Sequence, residues 1–111
     1  CIVDWKTSAS RWPAGKADRD LQATVFSYAY EKQNGTVPLF RFDVITKTKN
    51  PGCESHSTSR GFHDFRRFEA LANRAQYAIN KGVFLPNETS FACGECPYRD
   101  RCRQWHLKKW R

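Results

Sequence analysis

Three cysteines close together, Cys93, Cys96 and Cys102, constrain what this chain can fold into more than any other feature. They fall in the run Cys93-Gly94-Glu95-Cys96-Pro97-Tyr98-Arg99-Asp100-Arg101-Cys102, a C-x2-C-x5-C spacing. Two thiolates two residues apart reach one metal centre from a tight turn, and the third returns from the start of the next element. A knot of this kind leaves one of four ligand positions to be filled from elsewhere. His106 is one source: it extends the run to C-x2-C-x5-C-x3-H, a complete ligand set for tetrahedral Zn2+.

The remaining cysteines, Cys1 and Cys53, bring the total to five. An odd number with three clustered does not suit a secreted disulfide scaffold, and a reducing cytoplasm is the expected location. No apolar run is long enough to span a membrane, and no signal-peptide pattern is present. At 111 residues the chain is one domain or part of one. It contains no methionine, even at position 1, so its natural start is expected upstream.

Net charge is +8, which points to a polyanionic partner. The charge concentrates at the C-terminus, where Arg99 to Arg111 holds six Lys or Arg and one Asp. Arg99, Arg101, Arg103, Lys108 and Lys109 are the candidates for phosphate contact. On the zinc reading the segment is a nucleic-acid-binding knuckle without catalysis, with Tyr98, Trp105 and Trp110 stacking on bases.

Cys1 to Ser8 reads as a strand. Side chains alternate along it, so Val3 and Trp5 face one side and Asp4 and Lys6 the other. An acid and a lysine thus project together from an otherwise buried strand that includes Cys1. A loop with Trp12-Pro13 and Gly15 follows. The spacing then predicts a helix from about Asp18 to Gln33, with acids in its first turn and an apolar stripe of Leu21, Val25, Tyr28 and Ala29. Pro38 to Thr46 alternates as a second strand, and Lys47 to Arg60 reads as a polar loop in which His56 is solvated. A second helix runs from about Phe62 to Lys81 on Phe65, Phe68, Ala72, Ala75 and Ile79, and Gly82 stops it. The cysteine run and a basic helix from about Arg99 complete an α/β order.

In this order the pieces resemble a PD-(D/E)XK nuclease of the RecB-like branch, and in particular its iron–sulfur members, which include CRISPR-associated RecB-like exonucleases and phage relatives. Ile2-Val3-Asp4-Trp5-Lys6-Thr7 matches the family's acid-x-Lys strand. Leu21-Gln22-Ala23-Thr24-Val25-Phe26 matches its Q-x-x-x-Y helix, with Phe26 in place of the tyrosine. Gly82-Val83-Phe84-Leu85-Pro86-Asn87 followed by the cysteine run matches its C-terminal signature.

The resemblance implies a restriction-endonuclease-like mixed sheet flanked by helices, with residues 1–92 forming part of the nuclease core and 93–111 the metal knot and basic helix. It implies Mg2+- or Mn2+-dependent hydrolysis of phosphodiester bonds in DNA, as an exonuclease on single-stranded ends, with a helicase or recombination partner. Asp4 would bind the divalent ion, Lys6 would orient or deprotonate the attacking water, and Gln22 would hydrogen-bond near the site. Cys93, Cys96 and Cys102 would hold a [4Fe–4S] cluster with a fourth cysteine from further upstream. The family places another metal-binding Asp, often with a His, before the acid-x-Lys strand, and here nothing precedes Cys1.

Overall fold

A computed structural model describes residues 1–109, without the side chains of Trp105, His106, Lys108 and Lys109. The chain forms two compact units, Cys1–Arg74 and Ala75–Arg111. The first is built on β1 (Ile2–Ser8), α1 (Lys16–Arg19), α2 (Leu21–Asn34), β2 (Phe40–Thr46) and β3 (Gly52–Thr58), and it includes the first turns of α3 (Phe62–Asn80). The second holds the end of α3, a short 3-10 turn at Phe91–Cys93, and α4 (Arg99–Lys109).

The sheet has the order β1-β2-β3, with β1 parallel to β2 and β3 antiparallel to it. A parallel pair needs a crossover, and α1 and α2 supply it. Phe40, Phe42 and Val44 of β2 are fully buried on the covered face, where Phe26 of α2 stacks on Phe40 with ring centroids 6.2 Å apart. Trp12, from the loop after β1, packs on Phe42 with centroids 5.1 Å apart. The opposite face is open: Trp5 is 82 % exposed and Ile45 52 %. In β1 the burial is therefore the reverse of a hydrophobic pattern. Asp4 and Lys6 are half-buried against the helices, while Val3 and Trp5 lie on the uncovered side, and Cys1 is exposed rather than buried.

Three sequence expectations need correction. The predicted helix over 18–33 is broken at Asp20, whose backbone is extended (φ −76°, ψ 121°) and whose carboxylate accepts from Gln22 N at 2.9 Å. Asp20 is thus the N-cap of α2, satisfying one of the amides a helix start leaves free. The buried face of α2 is Ala23 and Ser27, not Leu21, Val25 and Ala29, which are exposed. Small residues let this helix lie close on the phenylalanines of β2, and hydrophobicity alone does not reveal that face. Finally, the polar segment after β2 contains a strand. β3 carries no large apolar side chain and exists because every residue of β2 from Phe40 to Thr46 pairs with it.

The α3 stripe is covered only at its start. Phe65 is buried and meets the Tyr28 ring, as does half-buried Phe68, whereas Ile79 is 55 % exposed. Arg60, buried just after β3, ties the crossover to the sheet. Its guanidinium donates to Ala17 O at 3.0 Å, Asp20 O at 2.9 Å, Thr24 Oγ1 at 2.8 Å and Thr58 Oγ1 at 2.6 Å. It adds a second bond to Ala17 O, which already accepts from Asp20 N at 3.3 Å, and reaches the N-cap carbonyl of Asp20, so the start of α2 is tied to the residue that follows β3.

Candidate active site

Period-two alternation puts Asp4 and Lys6 on the covered face, one strand step apart. Lys6 Nζ lies 2.9 Å from Asp4 Oδ2 and donates to Gln22 Oε1 at 2.7 Å. Gln22 reaches it from the first turn of α2, where the Asp20 cap fixes the backbone at that same residue. The structure thus brings Asp4, Lys6 and Gln22 into one constellation. Asp4 Oδ2 is buried and, despite the short ion pair, receives no well-directed hydrogen bond. An anionic oxygen held out of water with only an ammonium beside it has spare capacity for a cation.

Phe26 sits one turn beyond Gln22, where the resemblance has a tyrosine, and its ring is spent on Phe40. The Tyr28 hydroxyl does not replace it. It donates to Glu69 Oε1 of α3 at 2.9 Å, and that bond raises the Tyr28 pKa above its ordinary value.

Sequence reasoning missed a second polar group on the same face. Glu54 of β3 lies 3.1 Å from Arg11 Nε and 3.1 Å from His56 Nε2, and accepts from Trp12 N at 3.4 Å. The hydrogen bond from His56, backed by Trp12 N and Arg11, holds the Glu54 carboxyl below the usual glutamate range. His56 is half-buried, not solvated, with its ring centroid 5.6 Å from that of Trp12. The alternation Glu54-Ser55-His56-Ser57-Thr58 was the available signal, obscured because it has no apolar residue to mark a face. In register, Asp4, Phe42 and His56 form one row across the sheet. Two strand spacings, about 10 Å, separate the backbones of Asp4 and His56.

Among the described residues no group of three or more His, Cys, Asp or Glu side chains is placed to hold a metal ion. The expected cysteine knot is thus not shown among these residues. Cys93, Cys96 and Cys102 line one cavity of about 290 Å³ with Arg99 and Arg103, but they do not form a ligand cluster there. Cys93 instead donates its thiol hydrogen to Asn87 O at 3.2 Å. All five cysteines are free. The side chain of His106, the zinc alternative, lies outside the described residues, as do those of Lys108 and Lys109; Arg99, Arg101 and Arg103 are exposed on α4.

For a hard divalent ion the fit is better. Mg2+ is typically held by one or two carboxylates, with water and substrate phosphate oxygens filling the other positions. Asp4 supplies one such carboxylate with an under-used buried oxygen.

Residues 1–103 match the model of the PD-(D/E)XK nuclease superfamily, and the chain belongs to that superfamily of nucleic-acid hydrolases. Its α/β sheet is compatible with a restriction-endonuclease-like fold. No curated protein and no solved structure matches it. No helix among the described residues is long and apolar enough to cross a membrane.

Proposed function

We propose that this chain carries the hydrolytic centre of a Mg2+- or Mn2+-dependent deoxyribonuclease that acts on single-stranded DNA ends, with Asp4, Lys6 and Gln22 as its catalytic group. The observation that carries the reading is the position of Lys6 Nζ, in contact with both Asp4 Oδ2 and Gln22 Oε1 on the half-buried face. The preference for ends rests on the likeness of the strand, glutamine helix and C-terminal signature to RecB-like exonucleases.

Asp4 would hold the divalent ion through its carboxylate. Once bound, that ion would lower the pKa of a coordinated water and offset charge on the scissile phosphate. Lys6 has two tasks, both electrostatic. Its ammonium neutralises Asp4 in the resting protein, and near substrate it steadies the negative charge that builds on the phosphate oxygens. Gln22 Oε1 accepts a hydrogen bond from Lys6 Nζ and so fixes the direction in which the long, flexible side chain points. A positioned ammonium is worth more than a mobile one, because its orientation costs nothing at the moment of reaction.

In the second unit we propose a thiolate metal site on Cys93, Cys96 and Cys102, as [4Fe–4S] or as Zn2+ with His106. Support is limited to the cavity the three share. Metal analysis of protein purified without oxygen separates the cases: iron with brown colour, zinc without colour, or neither, which ends that part. Free cysteines suit a reducing cytoplasm.

The test of the main reading is degradation of a 5′- and a 3′-labelled single-stranded oligonucleotide with Mg2+ or Mn2+. Cleavage should stop in chelator and fall by about 10²-fold or more in Lys6→Met. Cleavage that survives chelation would remove the metal from the account.

A further inference from the structure

Arg60 is 7 % exposed, and among the described residues it forms no ion pair. A guanidinium stays charged, so its burial is costly unless its N–H groups find acceptors. Here all five do. Nε donates to Thr24 Oγ1 at 2.8 Å, Nη1 to Thr58 Oγ1 at 2.6 Å and Ser59 O at 3.0 Å, and Nη2 to Ala17 O at 3.0 Å and Asp20 O at 2.9 Å. Thr58 Oγ1 in turn donates to Asp18 Oδ1 at 2.7 Å, so an acid of α1 is joined to the guanidinium through one hydroxyl.

The bond to Asp20 O is the one that leads to the reactive group. That oxygen belongs to the peptide joining Asp20 to Leu21, so holding it fixes the plane from which α2 starts. Asp20 Oδ1 accepts from Gln22 N at 2.9 Å, and Gln22 Oε1 accepts from Lys6 Nζ at 2.7 Å. Three hydrogen bonds therefore run from the buried guanidinium to the ammonium beside Asp4. Helix ends fray, and Gln22 lies in a first turn. α1 has only four residues and is divided from α2 by the extended Asp20, so its own ladder does not brace that turn. Arg60 grips both sides of the break, at Ala17 O before it and at Thr24 after it.

We propose that Arg60 is a positioning residue for the hydrolytic centre, acting through the Asp20 cap to hold Gln22 against Lys6. The proposal deepens the nuclease reading and rests on it. Arg60 touches neither Lys6 nor Asp4, and its effect on the reaction passes through the direction in which Gln22 holds the ammonium. A residue that only supported the fold would lower stability without selecting Gln22.

The experiment uses the full chain and has two readouts. One is the single-turnover rate of cleavage of labelled single-stranded DNA in saturating Mn2+. The other is the NMR signal of the Gln22 side-chain amide, assigned by its loss in Gln22→Leu. Lysine keeps the charge of Arg60 but not its planar fork. Arg60→Lys should move the Gln22 signal, lower the rate by a factor no greater than Gln22→Leu does, and cause no further fall when the two are combined. Asp20→Ala, which removes the cap, should behave the same way, and Asp20→Asn, which keeps it, should restore the wild-type rate. Thr24→Val takes one acceptor from the same guanidinium but leaves the Asp20 bond, so it should lower stability with rate and signal unchanged. Losses that multiply with that of Gln22→Leu, or a Thr24→Val protein as slow as Arg60→Lys, overturn the proposal. If Arg60→Lys does not fold, the Asp20→Ala and Gln22→Leu cycle decides on the same terms. Wild-type cleavage with an unmoved signal in Arg60→Lys and Asp20→Ala sinks the positioning role alone. A moved signal without wild-type cleavage keeps the connection from Arg60 to Gln22 and sinks the nuclease reading.

Discussion

In the proposed centre, Lys6 would serve structure and chemistry at once. With Asp4 and Lys6 each less than a third exposed, the pair lies between a surface ion pair and a buried one. Removing it with Asp4→Asn should therefore cost only about 1 kcal/mol of stability by chemical denaturation. Loss of cleavage should be far out of proportion to that. Gln22→Leu should keep the fold and the Asp4–Lys6 contact but free the ammonium, giving a smaller fall in rate than Lys6→Met.

His56 gives a residue-level prediction in pH. Its bond to Glu54 lowers the carboxyl pKa in the folded chain, so the resulting stability is present above about pH 4.5 and is lost as pH falls through the folded value. Thermal unfolding of wild type and His56→Ala should thus differ above about pH 4.5 and converge under acid. A difference that grows as pH falls would contradict this assignment.

α2 shows at the scale of an element how a helix can carry a site without being strongly amphipathic. Its contact face is Ala23 and Ser27, both fully buried, and the Ser27 hydroxyl has no hydrogen-bond partner. An unpaired buried hydroxyl is costly, so Ser27→Ala should stabilise the fold by about 1 kcal/mol in denaturant titration. Ala23→Leu should do the opposite, by about 1–3 kcal/mol, because the helix has no room to retreat from Phe40 and Phe42.

Legibility varied for the same physical reasons. β1 could be read because strand alternation is local, and Asp4 and Lys6 fall on one face at any register. β2 could be read because Phe40, Phe42 and Val44 announce the core. β3 could not: its covered face offers Glu54, His56 and Thr58, and only pairing with β2 makes it a strand. The break at Asp20 was hidden because an acid in a first turn and an acid at an N-cap look alike in sequence. Gln22 was legible only through family likeness, since an isolated glutamine in a helix carries no signal. The ligand cluster expected from the spacing of Cys93, Cys96 and Cys102 is not shown among the described residues. Spacing alone does not decide side-chain convergence.

The molecule as a whole divides its chemistry between two units. The first, Cys1–Arg74, contains the acid, lysine and glutamine; the second, Ala75–Arg111, contains the three clustered cysteines and the arginines of α4. Hydrolysis is assigned to the first alone. Cys93→Ser/Cys96→Ser should accordingly change metal content or thermal stability without altering how the cleavage rate depends on Mn2+ concentration. The central claim is most directly tested by comparing wild type with Asp4→Asn on labelled single-stranded DNA in Mn2+, with folding of both verified by circular dichroism. Manganese-dependent shortening by wild type, and its loss in a folded Asp4→Asn protein, is the predicted result; equal cleavage by the two would contradict the account.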